Sequence, residues 1–266
     1  MKFIDPHIHM YSRTTDDYQK MALSGIKAVI EPSFWLGQER TSYETLKDYW
    51  EYIITFEHNR AAEFGIDHYC AISINPKEAN NKKFANDSLE IIEDFLVRDN
   101  VIALGEIGFD SMTKQEEDIF RKQLILADNL KIPIIIHTPH VNKLEGTKKT
   151  FEIIDELQIE QSRIILDHNN EETIELSLSY DVYSGITVYP NTKLSPFRAV
   201  NILKEFGTDK ILINSSADWG VSDPLSVPKT ALEMNSNGFS EKEIEKVLFL
   251  NPNTFFKQSK NYRSLE

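Results

Sequence analysis

Apolar residues in this chain come in short runs of four to six, each followed by an amphipathic stretch. Eight such runs read as strands: 2–5, 27–30, 69–74, 101–105, 133–136, 163–166, 182–186 and 210–213. They are continuous rather than alternating, the pattern of strands buried on both faces of a parallel sheet. Between them, apolar residues recur at helical spacing. Thr113 to Leu130 opens on Thr113-Lys114-Gln115-Glu116, a helix start of the capping-box type, and carries Ile119, Phe120, Leu124, Ala127 and Leu130 on one face. Ser88–Leu96, Asn170–Tyr180, Leu194–Phe206 and Ser240–Leu250 read as helices too, and Thr41–Phe64 as one long helix or two shorter ones. Eight strands alternating with helices predict a closed (β/α)8 TIM barrel, ahead of an open doubly wound sheet. The length of 266 residues suits one such domain over 1–266. No Gly-, Ser- or Pro-rich linker interrupts it.

Composition narrows the function. One cysteine, Cys70, excludes an internal disulfide and a thiolate-rich metal cluster. A net charge of −13 argues against coating a phosphate backbone through bulk positive charge. The N-terminus lacks a basic lead and an apolar signal core, and no apolar run approaches the roughly 20 residues that cross a bilayer. The expectation is a soluble cytoplasmic protein with a small-molecule partner, no membrane, and nucleic acid disfavoured.

The chemistry sits at strand ends, which in a parallel barrel open onto one face. Strand 1 runs into Asp5-Pro6-His7-Ile8-His9, and residues two apart in an extended chain point the same way. Alone, this pair is as compatible with a structural role as with a metal. Strand 4 ends in Gly105-Glu106-Ile107-Gly108-Phe109-Asp110. A glutamate there is costly unless it meets a positive partner, whether an arginine, a helix start or an ion. Strand 5 ends in His137, strand 6 in Asp167-His168-Asn169-Asn170, and strand 8 leads to Asp218-Trp219. Glu106 to His137 is 31 residues and His137 to His168 again 31, one strand–helix repeat each. As a set, His7, His9, Glu106, His137, His168 and Asp218 converge on one rim and point to divalent metal. Six ligands exceed one tetrahedral ion and suit two ions sharing a carboxylate and a water.

Together Asp5-x-His7-x-His9, Gly105-Glu106-Ile107-Gly108-x-Asp110, His137, His168 and Asp218 resemble the TatD-like group of metal-dependent hydrolases in the amidohydrolase superfamily. The resemblance spans nearly the whole chain in the family's order. It implies a TIM barrel in which His7, His9 and Asp218 hold one ion, His137 and His168 the second, and Glu106 bridges them. Asp5 and Asp110 would orient ligands through hydrogen bonds. The surroundings depart from those of the nucleases, which usually carry a hydroxyl residue and an arginine after the strand 5 histidine and an acid before Thr/Ser-Asp. Here these read His137-Thr138-Pro139-His140-Val141-Asn142-Lys143 and Asn214-Ser215-Ser216-Ala217-Asp218. The chain looks closest to an uncharacterised subgroup.

The expected activity is hydrolysis of a small-molecule phosphoester, lactone, ester or amide by a bridging hydroxide between two divalent ions, with Asp218 and Glu106 as catalytic residues. Zinc is the first choice; manganese, nickel, cobalt and iron also accept such ligands. Competing readings are a metal-dependent deoxyribonuclease and a non-catalytic metal- or ligand-binding barrel. Trp35 and Gln38, after strand 2, fit both a pocket lining and a packed lid. His140 and Lys143 suit contacts to an anionic group, or plain exposure. Tyr189 and Asn191, after strand 7, reach toward the mouth. Asn75-Pro76 ends strand 3, and Asn169 and Asn170 suit a helix cap. His58 and His68 read as structural, and Cys70 as buried and inert.

Overall fold

All eight apolar runs form strands in a computed structural model that describes residues 1–265. They are β1 Phe3–Asp5, β2 Ile26–Pro32, β3 Asp67–Ile72, β4 Val101–Gly108, β5 Ile134–His137, β6 Ile164–Asn169, β7 Tyr183–Thr187 and β8 Ile211–Asn214. The eight described strands pair in parallel in chain order, giving the TIM barrel. The β8–β1 seam is joined beyond the strands proper. Ser216 N donates to His7 O at 2.7 Å, and His9 N to Ala217 O at 2.9 Å.

The continuous apolar character of the runs follows from their position. One cluster takes Ile4, Ala28, Ile30, Tyr69, Ala71, Ile102, Ile135, Ile165 and Leu212 from successive strands and fills the barrel interior. Phe249, Phe255, Phe256 and Tyr262 from the C-terminal segment belong to the same cluster. The other strand face packs under the helices, and Leu104 and Ile136 share one apolar cluster with Phe120 and Leu124. Burial on both faces is what removes the alternation.

Thr113 caps the helix Lys114–Leu130 by accepting from Glu116 N. The Glu116 carboxylate turns instead onto the N–H groups of Asp110, Ser111 and Met112, fixing the turn after β4. The stretch 41–64 is one helical run: Tyr43–Glu51, a π-helical segment Tyr52–Glu57, then His58–Ala62. A second π segment, Lys246–Leu250, precedes Pro252, whose missing N–H leaves the regular ladder short of a donor. The helix expected over Ser88–Leu96 begins earlier, at Lys82, where the Asn81 side chain caps it. That over Asn170–Tyr180 is reduced to Ile174–Leu178. Among the described residues, no helix is long and apolar enough to cross a membrane.

Candidate metal centre

Local irregularities in β4 and β6 place two of the site's side chains. Against β5, Gly105 pairs with Ile135 and Ile107 with Ile136, so Glu106 is the extra residue of a bulge. Against β7, the register slips between Leu166 and Asn169, which frees His168, held at φ +61°. Bulges re-aim side chains, and left-handed backbone in a non-glycine residue is strain that clusters at functional sites. The glycines around Glu106 follow from close approach. A Cβ on Gly105 would lie 2.7 Å from Ile135 Cβ, and one on Gly108, at φ +129°, would collide with the carbonyl oxygen of His137.

Donor atoms of His7, Glu106 and His168 lie within 4.8 Å of one another, all buried. Glu106 Oε2 stands 2.9 Å from His137 Nδ1, 3.4 Å from His168 Nε2 and 3.9 Å from His7 Nε2. His9 Nε2 is 3.1 Å from His7 Nε2. Three of the rings are anchored. His7 Nδ1 donates to Asp167 Oδ2 at 2.5 Å, His168 Nδ1 meets Thr187 Oγ1 at 2.6 Å, and His9 stacks on Phe34 with centroids 3.9 Å apart. Asp5 holds the backbone rather than a ring, its Oδ1 accepting from the N–H groups of His7 and Ser215.

Burial opposes the charge on Glu106, yet His137, His168 and His7 hold its carboxyl well below the usual range. Asp167 is likewise held low against burial by His168 and His7. Burial lowers His9 strongly, with the charge on His7 adding to it. His7 is raised: burial would lower it, but the Asp167 hydrogen bond and the Glu106 charge prevail. A cation held at Nε2 would compete with a proton there.

The donor set fits a divalent ion. It consists of imidazole nitrogens and a carboxylate oxygen, with the outer nitrogens of His7 and His168 already partnered. His9 Nδ1 and Asp5 Oδ2 are buried without a hydrogen-bond partner, a cost that native interiors rarely carry without use.

Asp218 stands apart from the tight set. Its Oδ1 accepts from Tyr189 Oη at 2.8 Å and Gly220 N at 2.7 Å, and Arg13 Nη1 ties its carbonyl at 2.6 Å. Asp110 faces Lys77, 3.1 Å away, rather than a ligand ring. Trp35 lies under Lys77 Nζ and beside Trp219, in an aromatic wall continuing through Phe34 to His9. Gln38 and Asn191 are exposed, and Asn191 borders an outer groove with Pro190 and Pro196. His140 sits at the rim, its ring 5.8 Å from that of His137. Lys143 Nζ donates to Thr138 Oγ1 at 2.9 Å and His168 O at 3.0 Å. His68 lies away from the mouth, bonded to Glu31 at 2.7 Å, and His58 Nδ1 bonds the His68 carbonyl.

Sequence reasoning missed Asp167 and Lys193. Asp167 carries the signal already used for Glu106, an acid closing an apolar strand. Lys193 carries none, because a loop lysine is ordinarily solvated. Its ammonium is instead drawn inward, 3.1 Å from His168 Nδ1 and 3.3 Å from Ser216 Oγ.

A TIM barrel with buried histidine and glutamate donors converging at its C-terminal mouth defines a metal-dependent hydrolase. Comparison with known proteins agrees. Residues 4–257 match the family described as TatD related DNase, and the chain belongs to that family. An uncharacterized metal-dependent hydrolase of Methanocaldococcus jannaschii is 34% identical over 254 residues, covering 96% of this chain and 99% of the relative. Among solved structures, a TatD-like protein from Archaeoglobus fulgidus superposes with a TM-score of 0.79 at 27% identity, covering 96% of this chain and all of that one. The phosphotriesterase homology protein of Escherichia coli, solved with phosphate in its active site, shares the fold (TM-score 0.69, 14% identity, 96% and 98% covered).

Proposed function

We propose that this metal-dependent hydrolase cleaves a small-molecule phosphoester, lactone, ester or amide using two divalent ions, zinc first among them. The observation that carries the reading is the packing of His7, Glu106 and His168 donors within 4.8 Å, with His9 and His137 against them. His7, His9 and Asp218 would hold one ion, His137 and His168 the other, and Glu106 both. When bound, such ions polarise the electrophile's oxygen and acidify a water enough for attack near neutral pH.

The chain's own residues supply the rest. Asp167 fixes His7 with its lone pair at Nε2. Asp218 Oδ1 accepts from Tyr189 and Gly220, which leaves Oδ2 as the oxygen that would hold the ion, and the same carboxylate would take the proton of the attacking water and deliver it to the leaving group. The single cysteine is buried and free, which suits a cytoplasmic setting.

The test is metal content with turnover. Close to two ions per chain and loss of hydrolysis in Asp218→Asn, with metal largely kept, support the reading. Wild-type turnover by that variant removes Asp218 from the chemistry.

Deoxyribonuclease activity is the second reading, favoured by the description of the matching family. The net charge of −13 and the burial of His7 and His9 weigh against a polymeric anion. Labelled single-stranded DNA incubated with the metal-loaded protein separates the two.

A further inference from the structure

Beside the donor set, on its β5–β7 side, lies a cavity of about 130 Å³. His140, Lys143, His168, Thr187, Lys193 and Arg198 line it, and its lining is mainly polar. That is ample for several waters or one compact anionic group.

Two of its three cations lack a contacting carboxylate. Arg198 is neutralised by Glu171 at 2.6 Å. Lys143 and Lys193 are not: among the described residues neither ammonium has a carboxylate within salt-bridge distance. Lys143 is bonded only to the carbonyl and hydroxyl of Thr138 and the carbonyl of His168. Lys193 leans on the ring of His168 and the hydroxyl of Ser216. Desolvated cations normally have an anionic partner. Here two such cations line one open cavity.

We propose that this cavity is an oxyanion subsite in which Lys193 and Lys143 bind a phosphate-type dianion carried by the substrate. Two ammonium groups balance one dianion, and Thr187, Asn169 and Asn170 bound the pocket with polar residues. Because His168 forms both its wall and part of the metal donor set, the anion sits next to the bond that is cut. The substrate class is therefore a small phosphorylated molecule, with any flat apolar portion directed to the opposite wall of Phe34, Trp35 and Trp219. The inference rests on the hydrolase reading only for what the anion is attached to.

Inorganic phosphate is the probe, titrated calorimetrically into the full-length protein both metal-loaded and metal-free. Lys193→Met should weaken phosphate at least about tenfold in both forms, the scale of one charge-assisted contact. Lys193→Arg should restore most of the affinity, and acetate should bind at least about tenfold more weakly than phosphate. Metal content and thermal unfolding of each variant are measured alongside. Lys143→Met should act in the same direction; if its lost bonds to Thr138 prevent folding, the Lys193 pair decides alone. Equal phosphate affinity in wild type and Lys193→Met, with equal metal content, overturns the subsite and leaves the hydrolase reading intact. Failure to take up metal, with lysine-dependent phosphate binding retained in the metal-free chain, sinks the hydrolase reading and keeps the subsite.

Discussion

Asp167→Asn isolates one proton. In the native site Asp167 Oδ1 accepts from His168 N at 2.7 Å and Asn214 Nδ2 at 2.8 Å, while Oδ2 accepts from His7 Nδ1 at 2.5 Å. An asparagine has one acceptor oxygen. Two donors face the Oδ1 position, so the amide oxygen stays there and the amide NH2 turns toward His7. His7 must then accept at Nδ1 and carry its proton on Nε2, the nitrogen that faces Glu106 and His9. A metal ligand needs its lone pair there. Either the ring turns or the hydrogen bond is lost, and substitutions of this kind cost about 10- to 100-fold in metal affinity, or about 1.4–2.8 kcal/mol. The metal-free chain should also lose roughly 1.5–3 kcal/mol, the worth of a buried hydrogen bond to a charged group. A competition titration against a chromogenic chelator reads the first number and chemical denaturation the second. Metal binding at wild-type affinity by a folded Asp167→Asn protein would refute the assignment of His7 as a ligand through Nε2.

Three further outcomes follow from the same structure. Burial raises the Glu31 carboxyl to about 8, against the partial relief of the Tyr11 N–H, so its contribution to stability is complete below about 4.3 and lost as pH climbs through 8. Glu31→Gln mimics the protonated acid and should gain on the order of 2 kcal/mol at pH 8 with little change at pH 5; denaturation curves that shift equally at both pH values would contradict this. Gly108→Ala, at φ +129° with the His137 carbonyl in the way, should destabilise by roughly 3 kcal/mol and reduce bound metal, read by melting and elemental analysis. Chelation should lower the melting temperature by on the order of 10 °C at ion concentrations far above Kd, reversed by adding metal back.

The barrel was largely legible because its strands are buried on both faces and each apolar run is bounded by a polar or glycine-containing end. Helix limits were less so. The start at Lys82 depends on a side-chain cap from Asn81, and the π segment Lys246–Leu250 runs up to Pro252, neither of which periodicity records. In the site, histidines and glutamates at strand ends stood out because charged groups there need a reason. Asp110 shared that pattern, but the turn built by Glu116 directs it to Lys77. Lys193 was invisible because its burial comes from the loop's path over the mouth.

The seam between the first and last strands sets the order in which this protein can be completed. Ser215 N reaches Asp5 Oδ1 across 210 residues, and the carbonyl of His7 and the N–H of His9 are themselves part of the join. Closing so long a span is entropically late, so the final tooth of the zipper is set after the rest of the sheet exists. A ribosome-bound chain that has not yet released β8 therefore has His7 and His9 but no fixed place to hold them. A chain truncated before residue 211, which lacks this seam, should bind metal more weakly than the full chain.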